Sequence, residues 1–546
     1  MKRYSPDNDT QIHDLLVIGG GIYGASMAYT STLNGLQTVL VEQDDFGQHT
    51  SANSQKVIHG GLRYLQTMDI KRVVESIREK QRFYHLFPHQ VKPLPCLLPT
   101  TGFTMKGTEA FRIAFLLYSM IEKLVCRGKL TKNLHKRPTI LTKKEVDERF
   151  SHMKKEDIRG GALWYDGICE DPERVFIALM ESAAKLGAEI ANQMKVVKIE
   201  RTKNNHLAVH LYDKLSKKEI RLFTKKIAIC TGSWFKDELG LGSIPKELEK
   251  LTLIRGMNVI VPSLFNSPTS FATKVTKDGN SRFLFIVPWK DYSIEGTHWE
   301  DCIDPSEPWA THQQTADTFH EETQNAISGN SYQTKIMSTH HGFVPGTRDG
   351  KPMASDRILP HYKVVDREED KSGDILQIVG VKFTTAFDVV KKSLQQLFPE
   401  EQIKDVLMFN NLPYGSPAQT PSTLLALYRQ KYSNTLSYDQ CTIAFQLFGS
   451  SLPTVIQSYI VPLTEDNKRI DETSFYIGLT QYCVGEEMAC HLDDLVFRRL
   501  FPDSPATISP IVLNTLAGEM ANLLQWSTRQ QELEISKVIY KQEACL

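Results

Sequence analysis

Asp14 is followed by Leu15, Leu16, Val17 and Ile18, an apolar run with the length of a strand buried on both faces. Glycines from Gly19 to Gly24 break it. Ala25 to Leu33 then reads as a helix of small and apolar residues closed by Gly35, and Thr38 to Val41 as a second strand. That order predicts a βαβ unit. The alternation returns at Val175 to Leu186, a helical pattern ending at Gly187, followed by predicted strands across Ala188 to Ile199 and Lys226 to Cys230. Alternating apolar runs at Leu253 to Pro262, Phe283 to Trp289 and Tyr292 to Thr297, separated by Gly and Pro, predict an antiparallel sheet, with Trp289 in its core. A last strand and turn are predicted from Ile375 to Thr385, and helical periodicity takes over from about Pro413.

The glycine break carries the first chemistry. In Gly19-Gly20-Gly21-Ile22-Tyr23-Gly24, Gly19 suits the tight turn, Gly21 lets backbone amides approach a pyrophosphate, and Gly24 lets the helix pack closely on the strand. The helix amino terminus then faces the phosphates. Glu42 closes the second strand where such a unit needs a carboxylate for a ribose hydroxyl. The pattern predicts a dinucleotide site.

Composition narrows the class. Lys plus Arg and Asp plus Glu each number 64 in 546 residues, so no net charge favours a polyanion, and nucleic acid is not expected as a partner. Nine cysteines are scattered without a CxxC pair, which suggests neither zinc nor a disulfide framework and fits a reducing compartment. No metal site is expected. The apolar stretch from Leu15 to Leu33 is preceded by Asp7, Asp9 and Asp14 and cut by glycines, so it reads as folded structure rather than a signal peptide. No other stretch is long enough to span a bilayer. A cytoplasmic protein is expected, at most peripheral on the inner face of the membrane.

The residues after Glu42 run VEQDDFGQHTSANSQKVIHGGLRYL from Val41 to Leu65. This stretch resembles the FAD-dependent glycerol-3-phosphate dehydrogenases, within the D-amino-acid-oxidase-like FAD oxidoreductases. The likeness extends over roughly residues 13 to 530, through Asp166-Gly167, the turn at Gly232 and Trp234, and the Gly380 to Thr385 turn. It implies an α/β fold: a glutathione-reductase-like Rossmann FAD-binding domain, a β-rich substrate cap and a helical C-terminal domain. The implied division is an FAD-dependent region over 13–410, with FAD-binding segments near 13–100, 160–240 and 335–400 and the cap near 100–160 and 245–335, followed by the helical domain over 411–546. For the cofactor, FAD, it implies Gly19, Gly21, Gly24, Glu42, Thr50, Ser51, Ser54, Lys56, His59, Gly60, Gly61, Leu62, Val197, Gly232, Trp234 and Lys382 as contacts. Oxidation of sn-glycerol 3-phosphate or a related hydroxy compound to the ketone, by hydride transfer to the flavin, is the implied reaction. The implied acceptor is quinone or another carrier, and a homodimer is left open.

The chain departs from that family at the chemistry. Asn258 stands where the family has a histidine that could serve as base, and asparagine takes no proton at neutral pH. Val344 replaces an arginine that helps to hold the substrate phosphate, and Val381 replaces a turn glycine. Arg63, Arg255 or Arg348 could supply the missing charge. Arg63, Lys382, His341 and Thr384 are the candidate catalytic residues, with His341 as base and Lys382 holding a substrate oxygen or water or stabilising reduced-flavin charge. Two rivals stay open: oxidation of an amine or amino acid, and a flavoprotein that has lost its substrate site. Lys106 to Lys144 holds ten Lys or Arg against two Glu around the apolar run Phe111 to Met120, so it reads either as a membrane-surface segment or as a solvated basic face over a core helix.

Overall fold

The computed structural model describes residues 1–5, 11–101, 107–126, 136–150, 158–236, 239–241, 244–277, 280–302, 312–328, 334–351, 353–367, 372–464, 468–502 and 505–544. Lys106, Arg127, Lys129 and Lys132, from the basic stretch, lie outside these residues.

Ile12–Ile18 pairs in parallel with Thr38–Val41 on one side and with Lys218–Ile229 on the other. Every residue from Leu15 to Ile18 is buried, as the continuous apolar run requires of a central strand. Ile375–Val379 continues the sheet in parallel beyond Lys218–Ile229, and Glu189–Ala191 extends it beyond Thr38–Val41. Three antiparallel additions, Lys363–Asp366, Leu207–Asp213 and Met194–Arg201, complete eight strands among the described residues. The strand expected across Ala188 to Ile199 is thus two. They are separated at Asn192 and Gln193, where Gln193 takes a positive φ of 54° and Asn192 donates to the Met488 carbonyl at 2.8 Å.

Helix Ile22–Leu33 packs over this sheet against Pro172–Lys185 and Ala386–Leu397. Its start sits close on the end of the first strand because of Gly24: a Cβ there would meet the Gly19 carbonyl oxygen at 1.8 Å.

The second sheet runs Ser338–Thr347, Leu251–Pro262, Tyr292–Cys302, Asn280–Trp289, Ser270–Lys277, Val91–Thr101, Ile158–Cys169 and Val57–Ile58, with Thr139–Thr142 also paired to Ile158–Cys169. Its register moves the expected division. Val57–Ile58, Val91–Thr101, Ile158–Cys169 and Ser338–Thr347 fall within segments assigned above to FAD binding, yet they belong to this sheet: Ser338–Thr347 pairs with Leu251–Pro262, Val91–Thr101 with Ser270–Lys277 and Ile158–Cys169 with Thr139–Thr142, while Val57–Ile58 pairs with Ile158–Cys169. Trp289 is 1% exposed there and donates from Nε1 to the Glu170 carbonyl at 2.9 Å.

The C-terminal region is helical, from Pro421–Lys431 to Thr528–Ala544, around its own core of Phe445, Leu452, Ile456, Leu479, Tyr482, Leu516 and Met520. Capping matches the sequence: Ser437 and Gln440 form a capping box, and Asp471 accepts from the Ser474 amide at 2.9 Å.

Candidate active site

A cleft of about 900 Å³, its opening included, lies at the carboxyl ends of the parallel strands, the place where open α/β sheets take ligands. Gly19, Gly21, Glu42, Thr50, Ser51, Gly232 and Trp234 line it, joined by Gln43, Gln48, Met194, Lys195 and Val196. Gly19 has φ +107°, and a Cβ there would sit 2.6 Å from the Cys230 oxygen. At Gly21 a Cβ would meet only the Ser51 hydroxyl, at 2.9 Å, so the wall there is bare backbone. Ser51 caps the helix start by accepting from the Ile22 amide at 3.0 Å. Glu42 accepts from the amides of Gly20 at 2.6 Å and Asp44 at 2.9 Å, and burial pushes its carboxyl upward. Two further lone-pair positions remain on such a carboxylate for a hydroxyl. Glycine-lined backbone, a helix amino terminus and a buried acid fit an adenine dinucleotide.

Other predicted contacts lie elsewhere. Val197 is 54% exposed; its neighbour Val196 lines the cleft, because side chains alternate along a strand. Lys56 is fully buried, 3.6 Å from Glu173 and 4.9 Å from the Trp289 ring centre, so its ammonium is committed to the interior. Ser54 accepts from the Lys56 amide at 3.1 Å and shapes the turn. His59 and Gly60 share Asp166: the His59 Nδ1 lies 3.2 Å from one carboxylate oxygen, and the Gly60 amide donates to the other at 2.8 Å. Burial alone would raise Asp166, but His59, Lys80 and the Gly60 amide outweigh it and hold it below the usual range. Gly61, at φ +85°, fits against Ser76, and Leu62 opens the short helix Leu62–Thr67.

That short helix meets the last turn of the chain's main sheet. The Tyr23 hydroxyl donates to the Lys382 carbonyl at 2.8 Å and lies 3.1 Å from the Thr385 hydroxyl, fixing the turn onto the first helix. Thr384 is buried within it, and Val381 packs beside Phe235, Leu251 and Val379, which accounts for an apolar residue there. The Lys382 ammonium donates to the Tyr64 hydroxyl, which also accepts from Arg63 Nη2 at 3.1 Å. Arg72 lies 4.7 Å from the Tyr64 ring centre. Burial raises the Tyr64 phenol, but Arg63 and Lys382 outweigh it and the net shift is downward. Lys382 is also lowered, by burial first and by Arg63 and Arg72 beside it, against the opposing pull of Tyr64. Arg63 and Lys382 were predicted from sequence; Tyr64 and Arg72 were not singled out, although Tyr64 stood inside the quoted motif.

The cap contributes the opposite wall. Residues opposite one another on antiparallel strands share a face. Asn258 pairs with His340, Gly256 with Gly342 and Ile254 with Val344; Met257 pairs with His341 and Arg255 with Phe343. A Cβ on Gly342 would meet the Asn53 carbonyl at 2.9 Å and Thr50 at 3.1 Å, and one on Gly296 would meet the Asn258 Oδ1. The Asn258–His340 face is therefore the one that meets the Thr50–Gln55 loop. His341 lies on the other face, with buried Met257 and with Arg255, and burial and that guanidinium push its ring down to about 3. Arg255 is itself engaged with Glu300 at 3.1 Å and with His312, and Arg348 is exposed.

Residues 14–366 match the DAO family, FAD dependent oxidoreductase. The chain belongs to that family. It is thus an FAD-dependent oxidoreductase, and FAD is the dinucleotide whose cradle is described above. Over 579 aligned positions it is 28% identical to a protein named glycerol-3-phosphate dehydrogenase from Synechocystis, covering 100% of this chain and 99% of that one. An aerobic glycerol-3-phosphate dehydrogenase of Staphylococcus aureus is 32% identical over 52% of this chain and 49% of its own. Among solved structures, the glycerol-3-phosphate dehydrogenase of Bacillus halodurans, complexed with FAD, superposes with a TM-score of 0.72 at 19% identity, over 98% of this chain and 95% of that one.

Proposed function

We propose that this chain oxidises sn-glycerol 3-phosphate, or a closely related polyol phosphate, to the ketone. The observation that carries the reading is that Arg63 and Lys382 both donate to the Tyr64 hydroxyl, with Arg72 against the ring of the same tyrosine. Two cations sharing one hydroxyl, with a third against its ring, suit a phosphate dianion, whose oxygens would replace the phenol as acceptor for Arg63 and Lys382. In this reading Arg63 does the work that Val344 cannot, since Arg255 is spent on Glu300. The full-length likeness to proteins named for this substrate supports the same choice. An amine substrate fits less well, because the same cations would repel an ammonium group.

FAD, when bound, supplies the two-electron acceptor. The chain's part is to orient the carbinol carbon by its phosphate end and to accept the hydroxyl proton. Asn258 accepts a hydrogen bond from the Thr297 hydroxyl at 2.8 Å, and its amide can orient a substrate oxygen. His340, directly across from it, is the proton acceptor in this reading in place of His341.

Quinone or another carrier as acceptor, and attachment to a membrane surface, belong to the same reading. On helix Thr108–Cys126, Ile113, Leu116, Leu117, Met120 and Leu124 form an exposed apolar stripe, 39% to 74% accessible, beside Arg112 and Lys123. Phe115, inside the apolar run Phe111 to Met120, is buried instead. Among the described residues no helix is long and apolar enough to cross a membrane. The deciding experiment mixes purified holoprotein with a dye acceptor. Glycerol 3-phosphate should bleach the flavin and reduce the dye; an amine doing so in its place would replace this reading, and neither doing so would leave a flavoprotein without its substrate site.

A further inference from the structure

Asp45 sits inside the turn that carries Glu42, Gln43, Gly47 and Gln48 to the cleft, yet its own side chain points away and is fully buried. Its partners lie more than 450 residues later: Arg498 Nε donates to it at 2.5 Å, and the two terminal nitrogens of Arg499 donate at 2.7 and 2.8 Å. Asn192 adds a fourth donor at 3.3 Å. Both arginines lie on the segment Val496–Leu500 of the C-terminal helical region. Arg498 is held from behind by Asp494 at 2.5 Å, and Arg499 donates to the Glu487 carbonyl at 2.9 Å.

The turn also ties back to the glycine fingerprint, where the Gly47 amide donates to the Gly20 carbonyl at 3.1 Å. Without its arginines, Asp45 would be a buried carboxylate stripped of its main donors, a state costly enough to drive it toward water. The turn would move with it, carrying Gln43 and Gly47 off the cleft wall. We propose that Arg498 and Arg499 are cofactor-positioning residues: by holding Asp45 they fix the Glu42–Gln48 turn, so that docking of the C-terminal helices and binding of FAD form one linked equilibrium. Linkage is reciprocal, and FAD must therefore tighten the helical region as much as that region tightens FAD. The proposal rests on FAD being the ligand of the cleft.

The test measures FAD dissociation from the full chain by flavin fluorescence, for wild type, Asp45→Asn, Arg499→Lys and Tyr482→Phe. Arg499→Lys keeps the charge and loses the fork. Tyr482→Phe removes another buried contact of the same helices, the 2.9 Å bond to Glu181, and leaves every hydrogen bond of Asp45 in place. Asp45→Asn and Arg499→Lys should weaken FAD by roughly 5- to 150-fold, the usual span of coupling between sites, while Tyr482→Phe stays within about twofold. In parallel, adding FAD to wild-type apoprotein should slow amide exchange across residues 487–500 as well as in the fingerprint. That second measurement decides if the variants do not fold. Folded variants with wild-type affinity, or protection confined to the dinucleotide sheet, would overturn the proposal. A wild-type protein that takes up no FAD would instead overturn the cofactor itself.

Discussion

Along Gly19 to Gly24 the chain presents backbone: a helix end, and glycines where a Cβ would strike the Cys230 or Gly19 carbonyl or the side chains of Phe46 and Ser51. Around Tyr64 it presents side chains, with Lys382 brought from a distant part of the sequence to share the hydroxyl with Arg63, and Arg72 against the ring. The first region is built within about one βαβ unit and has almost no freedom to vary. The second is assembled across the fold, and each of its members can be replaced while the others stay.

The contrast breaks most severely at Gly24. Gly24→Ala drives a methyl group into the Gly19 oxygen and should cost about 3 kcal/mol or more, leaving little folded, FAD-loaded protein by calorimetry and flavin absorbance. Next comes the cap wall. His340→Gln should lower kcat by roughly two to four decades if it accepts the proton, with KM and bound FAD little changed; His341→Gln should leave kcat near wild type, and the reverse pattern would restore His341 as the base. At the cationic cluster, Arg63→Ala and Lys382→Ala should each lose about 1.5 to 3 kcal/mol, read mainly as a higher KM for glycerol 3-phosphate in protein that stays yellow.

Two smaller effects sharpen the picture away from the chemistry. Changing Leu116 and Leu124 together to Asp should cut sedimentation with anionic vesicles about tenfold or more, since one buried leucine contributes about 1.5 to 3 kcal/mol, without altering dye reduction. Finally, Lys382 is displaced downward, so its charged form, and the phosphate affinity that depends on it, should be lost as pH rises at lower pH than for a free lysine. The Tyr64 contact opposes that displacement; Tyr64→Phe should therefore move the alkaline limb of kcat/KM to still lower pH.

Legibility in the sequence follows the same line. Gly19, Gly21, Gly24 and Glu42 could be read because local spacing specifies what they do. The burial of the Lys56 ammonium could not be read, because its partner, Glu173, lies more than a hundred residues away on helix Pro172–Lys185. Val196 rather than Val197 lines the cleft, and His340 rather than His341 lies on the face that meets the Thr50–Gln55 loop, for one reason: strand parity decides which side chain faces which way, and parity depends on a register that only the paired strand reveals. The Tyr64 cluster stayed hidden because Lys382 reaches it only after Tyr23 has pinned the last turn to the first helix.

The sheet that holds the cradle joins Ile12–Ile18 to Lys218–Ile229, and that strand in turn to Ile375–Val379. During synthesis, at roughly 5 to 20 residues per second, the last of these strands leaves the ribosome about 20 to 75 s after the first. For that interval the nascent chain carries an apolar strand edge with nothing beside it, while the inserted cap strands are already free to form their own antiparallel pairs. The fingerprint that opens the sequence therefore has no complete cleft until Lys218–Ile229 and the Thr231 to Trp234 turn behind it have joined Ile12–Ile18.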